Sequence, residues 1–254
     1  MTNKDLISQY VDTGMGIPRY QFDKLSNNDK KTYLRKIEMS IEHDYLKAMY
    51  YYGVLPEEAQ YKIIKRNDSM IEYMQEPSEL VKMHSVGRDA YNIRFIKDPS
   101  EEVKLAAVKR DGLSIRFIDN PSYEVQMVAV KQDGDAIEHI ENPDETVQLE
   151  AVKNSVSAIY WIKNPSDAAQ LEAVKKDKRY VYYIENPSEA LQIGLVNHDL
   201  KNLNFINPQS EAVQIFAVNK AAELHDGDSM EYLKRPTDKV VMLYDKLQGE
   251  IYKK

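Results

Sequence analysis

Apolar residues in the middle of this chain return on a cycle of 22 residues. Val125, Met127, Ala129 and Val130 are answered by Val147, Leu149, Ala151 and Val152, and then by Ala169, Leu171, Ala173 and Val174. Each cluster lies in a run of about ten residues rich in Glu, Lys, Gln and Ala, which has the composition and period of an amphipathic helix, here helix A. A second apolar pair follows each run at a spacing of three: Ile93/Ile96, Ile115/Ile118, Ile137/Ile140, Ile159/Ile162, Val181/Ile184 and Leu203/Ile206. Ile71/Met74 and Met230/Leu233 occupy the matching places at the two ends. A spacing of three sets both members on one face of a shorter helix B. Eight such hairpins fit between residues 55 and 235.

The polar punctuation agrees with this reading. Nine of the ten prolines recur with the cycle, from Pro56 and Pro77 to Pro208 and Pro236, and the five central intervals are 22 residues each. In the unit beginning at Asn142, the asparagine precedes Pro143 and is expected to be the N-cap, with the proline at the first helical position. Glu145 then completes a capping-box pattern, as do Glu101 after Asp98 and Glu189 after Asn186. Gly112 and Gly134 follow aspartates where helix A should stop, while Val156, Lys178 and Leu200 replace the glycine in other units. Strands of a parallel β-helix are the competing reading for so short a repeat. The Pro-initiated, Glu/Lys/Gln/Ala-rich A segments favour helix.

The expected fold class is therefore all-α, an α-solenoid of about eight short helical hairpins with capping helices at both ends. A hairpin of this size cannot bury its apolar stripe alone, and stacking on its neighbours does so. Residues 1–54 carry helical patterns near 3–12, 28–39 and 41–52 and are expected to form a cap or a small appended domain. Residues 55–235 form the repeat array, and 236–254 a closing helix. The last repeat is stretched by about six residues around the sequence HDGDSM.

Composition narrows the function classes. The net charge of −7 weighs against a nucleic-acid binder, which usually carries a basic face. No run reaches the ~18 apolar residues of a membrane span, and the opening MTNKDLISQY lacks the apolar core of a signal peptide. The chain has no cysteine, so disulfides, thiolate metal sites and cysteine nucleophiles are excluded. A cytoplasmic location is expected.

The motif N-P-S/D-E-x-V-Q-L-x-A-V-K-x-D-G, as it stands in 120–134 and 142–153, resembles a family of short helical-hairpin repeats. These occur in uncharacterised bacterial and phage proteins and are similar to HEAT-like repeats. The likeness covers about residues 55–235, and it implies the architecture while attaching no catalytic residues to the repeat. The segment YVDTGMGIPRYQFDKLSNNDKKTYLRK looks like the N-terminal portion of some phage-encoded members. The resemblance thus implies a phage or prophage setting, the cytoplasm of a bacterial host, and a host protein, such as a nucleic-acid-binding defence factor, as the partner.

Candidate chemistry is sparse. Asp12-Thr13-Gly14 matches an aspartic-protease triplet, but no second triplet exists in the sequence to share its proton, and a helix end at Gly14 or Gly16 accounts for it. His43, His84, His139, His198 and His225 include no pair at i, i+3 or i, i+4, the spacing for a metal on one helix face. The loop His225-Asp226-Gly227-Asp228 lacks the ligand number of an EF-hand. Neither a phosphate-binding glycine loop nor a nucleophile elbow is present. No enzyme, cofactor or metal is expected.

Surface features are more informative. The residue before the second apolar position of helix B reads Tyr73, Phe95, Phe117, His139, Trp161, Tyr183, Phe205 and Tyr232, so seven of eight rungs are aromatic. Such a ladder either fills the seam between hairpins or lines a face that meets a partner. His139 interrupts it and is expected to be its wettest rung. Between Asn120 and Glu150 stand eight acids, among them Glu124, Asp133, Asp135, Glu138 and Glu141, against one base, Lys131. They read either as a solvated surface that serves helix N-termini or as a patch that docks on a basic partner. Lys175, Lys176, Lys178 and Arg179 form an opposing island too small for non-specific DNA binding. Tyr50, Tyr51 and Tyr52 point in three directions if helical, so they cannot all be core, and tyrosine is enriched in binding hot spots.

Together these features predict a non-enzymatic protein-binding solenoid, and the resemblance implies a phage-encoded inhibitor of a bacterial defence protein of the anti-CRISPR type. It would act by surface occlusion or by mimicking nucleic acid. The candidate contacts are Glu124, Asp133, Asp135, Glu138, His139, Glu141, Trp161 and Tyr50–Tyr52. A HEAT-like nucleic-acid binder and a self-assembling structural protein are the alternatives.

Overall fold

The computed structural model describes residues 24–33, 35, 55, 57–224, 226 and 231–251. The described residues contain helices and turns and no strand, which settles the β-helix alternative in favour of all-α. The chain divides into two compact units, Met1–Gln132 and Asp133–Lys254. The first holds α1 (Glu57–Arg66), α2 (Glu79–Arg88), α3 (Glu101–Arg110) and α4 (Tyr123–Gln132). The second holds α5 (Glu145–Asn154), α6 (Asp167–Lys176), α7 (Glu189–His198), α8 (Glu211–Leu224) and α9 (Asp238–Ile251). Within each unit the α-helices pack on one another in chain order. Helical turns at 27–33 overlap the start of the segment expected at 28–39.

Each repeat begins differently from the sequence expectation. Asp98, Asn120, Asn142 and Asn186 have φ between 48° and 50°, so they are left-handed reversal points and not N-caps. Asparagine and aspartate tolerate this region better than other side chains, and the following proline bars the right-handed helical one. The cap lies two residues later. Asp144 accepts hydrogen bonds from the N–H groups of Thr146 and Val147, both at 2.9 Å. Ser100, Ser166 and Ser188 cap their helices through Oγ in the same way. The proline therefore precedes the cap, and Glu145, Glu101 and Glu189 are the first helical residues instead of closing a capping box. Their place still suits acids, beside the positive end of the helix dipole.

Helix B is a six-residue 3-10 helix in seven repeats, from Asp68–Tyr73 to Leu200–Phe205. Asp89, Asp111, Asp177 and Asp199 end one α-helix in extended conformation and cap the next 3-10 helix, accepting from the N–H two residues on, and Asp133 caps its 3-10 helix in the same way. Gly112 and Gly134 are thus the first residues of 3-10 helices and not helix terminators. Gly134 is needed for space: a Cβ there would stand 2.5 Å from the carbonyl oxygen of Ala151.

The core follows the apolar cycle with one substitution. Val147, Ala151 and Val152 are fully buried, as are their counterparts in neighbouring helices, but Leu149 is half-buried. The interior place beside Val147 belongs to Gln148. Its Nε2 donates to the carbonyl of Pro143 at 3.0 Å, and its Oε1 accepts from the N–H of Ser166 at 2.8 Å. Gln60 makes the same double link to Leu55 and Ser78, at 2.9 Å each. Buried amides are tolerable because they are paired, and here the pairing ties one repeat to the next. A second tie joins cap hydroxyl to first-turn carboxylate one repeat back, at Ser100–Glu79, Ser122–Glu101 and Ser188–Asp167.

Candidate interaction surface

The 3-10 helices decide what faces outward. With three residues per turn, residues three apart lie on one side, and the two between them turn away. In the repeat at 90–96, Ile93 and Ile96 are buried, Ile96 N–H donates to Ile93 O at 3.0 Å, and Arg94 and Phe95 point out. The ladder is therefore a surface feature with two outward positions per repeat.

At two rungs of the first unit arginines cover the rings, while Tyr73 is exposed. The Arg94 guanidinium lies 4.5 Å from the centre of Phe95, and Arg116 lies 4.8 Å from Phe117 and 4.7 Å from Tyr91. Tyr91 meets Phe117 edge-on at 5.8 Å. These cation–π contacts leave Phe95 and Phe117 half-buried.

In two repeats of the second unit, Tyr160 and Tyr182 stand where the first unit has Arg94 and Arg116. Tyr160 and Trp161 end one 3-10 helix, Tyr182 and Tyr183 the next, and Phe205 the one after. Tyr160, Trp161, Tyr182 and Tyr183 are 50–67% exposed, far beyond what rings filling a seam would show. The rings nonetheless touch from repeat to repeat: Tyr160 meets Tyr183 at 6.0 Å, and Tyr182 meets Phe205 at 4.6 Å. Beneath them Tyr180 is buried and lies 5.3 Å from Tyr160. Burial and a hydrogen bond to Tyr160 push its phenol up to about 12.

The other candidates separate into structural and exposed residues. In the second unit, Asp133 caps a 3-10 helix, and Asp135 accepts a hydrogen bond from Ser157 Oγ at 2.9 Å, so both are occupied by the fold. Glu138 and Glu141 are exposed. His139 is half-buried, drier than Trp161 or Tyr183, because its 3-10 helix is packed against the next one, Val156–Trp161. In the first unit Glu124 is exposed in the first turn of α4. Tyr50, Tyr51 and Tyr52 lie outside the described residues, as do the Asp12-Thr13-Gly14 triplet and most of the 225–228 loop.

The basic island is partly neutralised. Arg179 grips Asp177, with Nη2 to Oδ2 at 2.5 Å, which holds the Asp177 carboxyl below the usual range. Lys175 pairs with Glu172 at 3.8 Å. Among the described residues no group of three metal-ligating side chains converges, and no helix is long and apolar enough to cross a membrane.

The sequence reading missed Tyr160 and Tyr182, and with them half of the surface. Their signal was the doublets Tyr160-Trp161 and Tyr182-Tyr183, which a 3-10 period turns outward together. The surface offers flat apolar faces and phenolic hydroxyls, the chemistry of binding. Comparison with family models, curated proteins and solved structures finds no match for this chain.

Proposed function

We propose that this chain is a non-catalytic α-solenoid that binds a protein partner, and that it acts as an inhibitor of a bacterial defence protein by covering a working surface. The contiguous exposed rings of Tyr160, Trp161, Tyr182 and Tyr183 carry this reading. Aromatic side chains exposed in a group are costly to leave in water and dominate binding hot spots. Repeats of the second unit packed in chain order and tied by the Gln148 link give those rings a rigid base, which lowers the entropy lost on binding. Direct nucleic-acid binding has less support, since Arg179 and Lys175 are already engaged with carboxylates.

Affinity capture from nuclease-treated bacterial lysate tests the reading, comparing the natural chain with a Tyr160→Ser/Tyr183→Ser variant of unchanged circular dichroism. A stoichiometric protein retained by the first and lost by the second is the expected result. Equal retention by both would remove the aromatic surface from the function.

A further inference from the structure

Two guanidiniums of the first unit are held in place on aromatic rings with no carboxylate closed on them. Resting on the protein-binding reading, we propose that Arg94 and Arg116 form a paired grip for an acidic segment of the partner, with the carboxylates of that segment on the two guanidiniums. Both arginines are exposed. Arg94 lies over Phe95 at 4.5 Å, and Arg116 over Phe117 at 4.8 Å and over Tyr91 at 4.7 Å. Their 3-10 helices, Ala90–Phe95 and Gly112–Phe117, pack against each other. Tyr91 and Arg94 are three residues apart on the first of these, so they share one side of it. Arg116 reaches back over the Tyr91 ring, which brings both cations to that side. Tyr91 is itself fixed: it meets Phe117 edge-on at 5.8 Å, and its hydroxyl donates to Asp111. That carboxylate also accepts from the N–H of Leu113 at 3.0 Å. Among the described residues neither Arg94 nor Arg116 forms an ion pair, whereas Arg179 of the second unit is closed on Asp177.

A guanidinium on a ring keeps the N–H donors at the rim of its plane, a fork that fits a carboxylate or a phosphate. Holding the side chain there beforehand lowers the entropy lost on binding. The surroundings decide between the two anions. Glu72 has the place of Arg94 one repeat earlier, is exposed, and stands on the 3-10 helix Asp68–Tyr73 that packs against Ala90–Phe95. The outward cations at this position of the first unit therefore number two and are bounded on that side by a carboxylate. A nucleic-acid strand draws its affinity from several phosphate contacts, and a chain of net charge −7 repels a polyanion. A short acidic stretch of protein carries less charge and needs only the two forks.

Fluorescence anisotropy tests the grip, with the full chain titrated into a fluorescein-labelled peptide of about six glutamates, its glutamine counterpart, and oligothymidine of matching charge. The expected result is saturable binding of the glutamate peptide, weakened by added salt, with the glutamine peptide at least about tenfold weaker. Arg94→Gln/Arg116→Gln, at unchanged circular dichroism, should weaken the glutamate peptide by about tenfold or more. Arg94→Lys/Arg116→Lys keeps the charge but loses the fork, and should weaken it by about threefold or more. No saturable binding of the glutamate peptide, or equal binding by the glutamine variant, overturns the proposal. Undiminished binding by the lysine variant also overturns it, reducing the effect to net charge. Tighter binding of oligothymidine, lost in the same variants, overturns it in favour of a phosphate site. A dimer in sedimentation that the glutamine variant abolishes overturns it in favour of a second copy of the chain. If the glutamate peptide fails while lysate capture still depends on Tyr160 and Tyr183, only this grip falls, and the protein-binding reading stands.

Discussion

Gln148 accepts a hydrogen bond at 2.8 Å from the backbone N–H of Ser166, 18 residues further along the chain. The same amide donates to Pro143 in its own repeat. One buried side chain thus satisfies backbone groups on both sides of a repeat junction, where neither has a helical partner. The position recurs as Gln126, Gln170, Gln192 and Gln214, and the first three of these also donate to the proline of their own repeat or its equivalent.

Replacing Gln148 by leucine should therefore cost more than its polarity suggests. The Ser166 N–H and Pro143 carbonyl would lose their partner inside the fold, a loss of about 1–3 kcal/mol. Urea unfolding of the Gln148→Leu variant checks this. A midpoint equal to that of the natural chain would show that water replaces the amide without cost.

The repeat, its length and its all-helical character were legible because Pro143 and its counterparts, and the Val147/Ala151/Val152 pattern, obey local rules that packing does not override. The cap was misplaced because Asn142 and Asp144 are both good cap residues two positions apart. Only the backbone shows that the first adopts positive φ. The surface was half legible for a similar reason. Ile159 and Ile162 at a spacing of three fit either an α-helix or a 3-10 helix, and only the latter turns both Tyr160 and Trp161 outward.

The cap assignment is testable by contrast. Asp144→Ala should destabilise by about 0.5–2 kcal/mol, the usual cost of losing an N-cap side chain. Asn142→Gly, at φ 50°, should change stability little, because glycine adopts that region freely. Thermal or urea unfolding of the two variants decides it, and the reverse order of effects would restore Asn142 as the cap. Hydrogen bonds from Thr146 and Val147 hold the Asp144 carboxyl below its ordinary range. Its contribution should therefore be present above the unfolded-state value and be lost as pH falls through the folded one.

Alkaline unfolding should expose the tyrosine cluster. The Tyr180 phenol is pushed up to about 12, chiefly by burial, while in the unfolded chain it ionises near its ordinary value of 10.0. The folded state then holds the proton that the unfolded state gives up, so its stabilisation is complete below pH 10 and is lost as pH rises towards 12. A Tyr180→Phe variant should show a shallower fall of stability across this window. Unfolding at stepped pH, with phenolate absorbance followed in parallel, provides the measurement. An unchanged slope in the variant would place the alkaline sensitivity elsewhere.

Acidic residues of the second unit should divide by the work they do. Asp135 bonds to Ser157 across adjacent repeats, so Asp135→Ala should lower stability by about 0.5–1.5 kcal/mol. Glu138 and Glu141 are exposed, and their reversal to lysine should leave the unfolding midpoint nearly unchanged. If the partner meets this side of the aromatic surface with positive charge, the double reversal should weaken binding and flatten its salt dependence together, because both arise from the same Coulomb attraction. Affinity for the captured partner, measured at two ionic strengths, separates the cases. Unaltered affinity in the Glu138→Lys/Glu141→Lys variant would confine recognition to the rings, and a collapse of stability would assign these carboxylates to the fold.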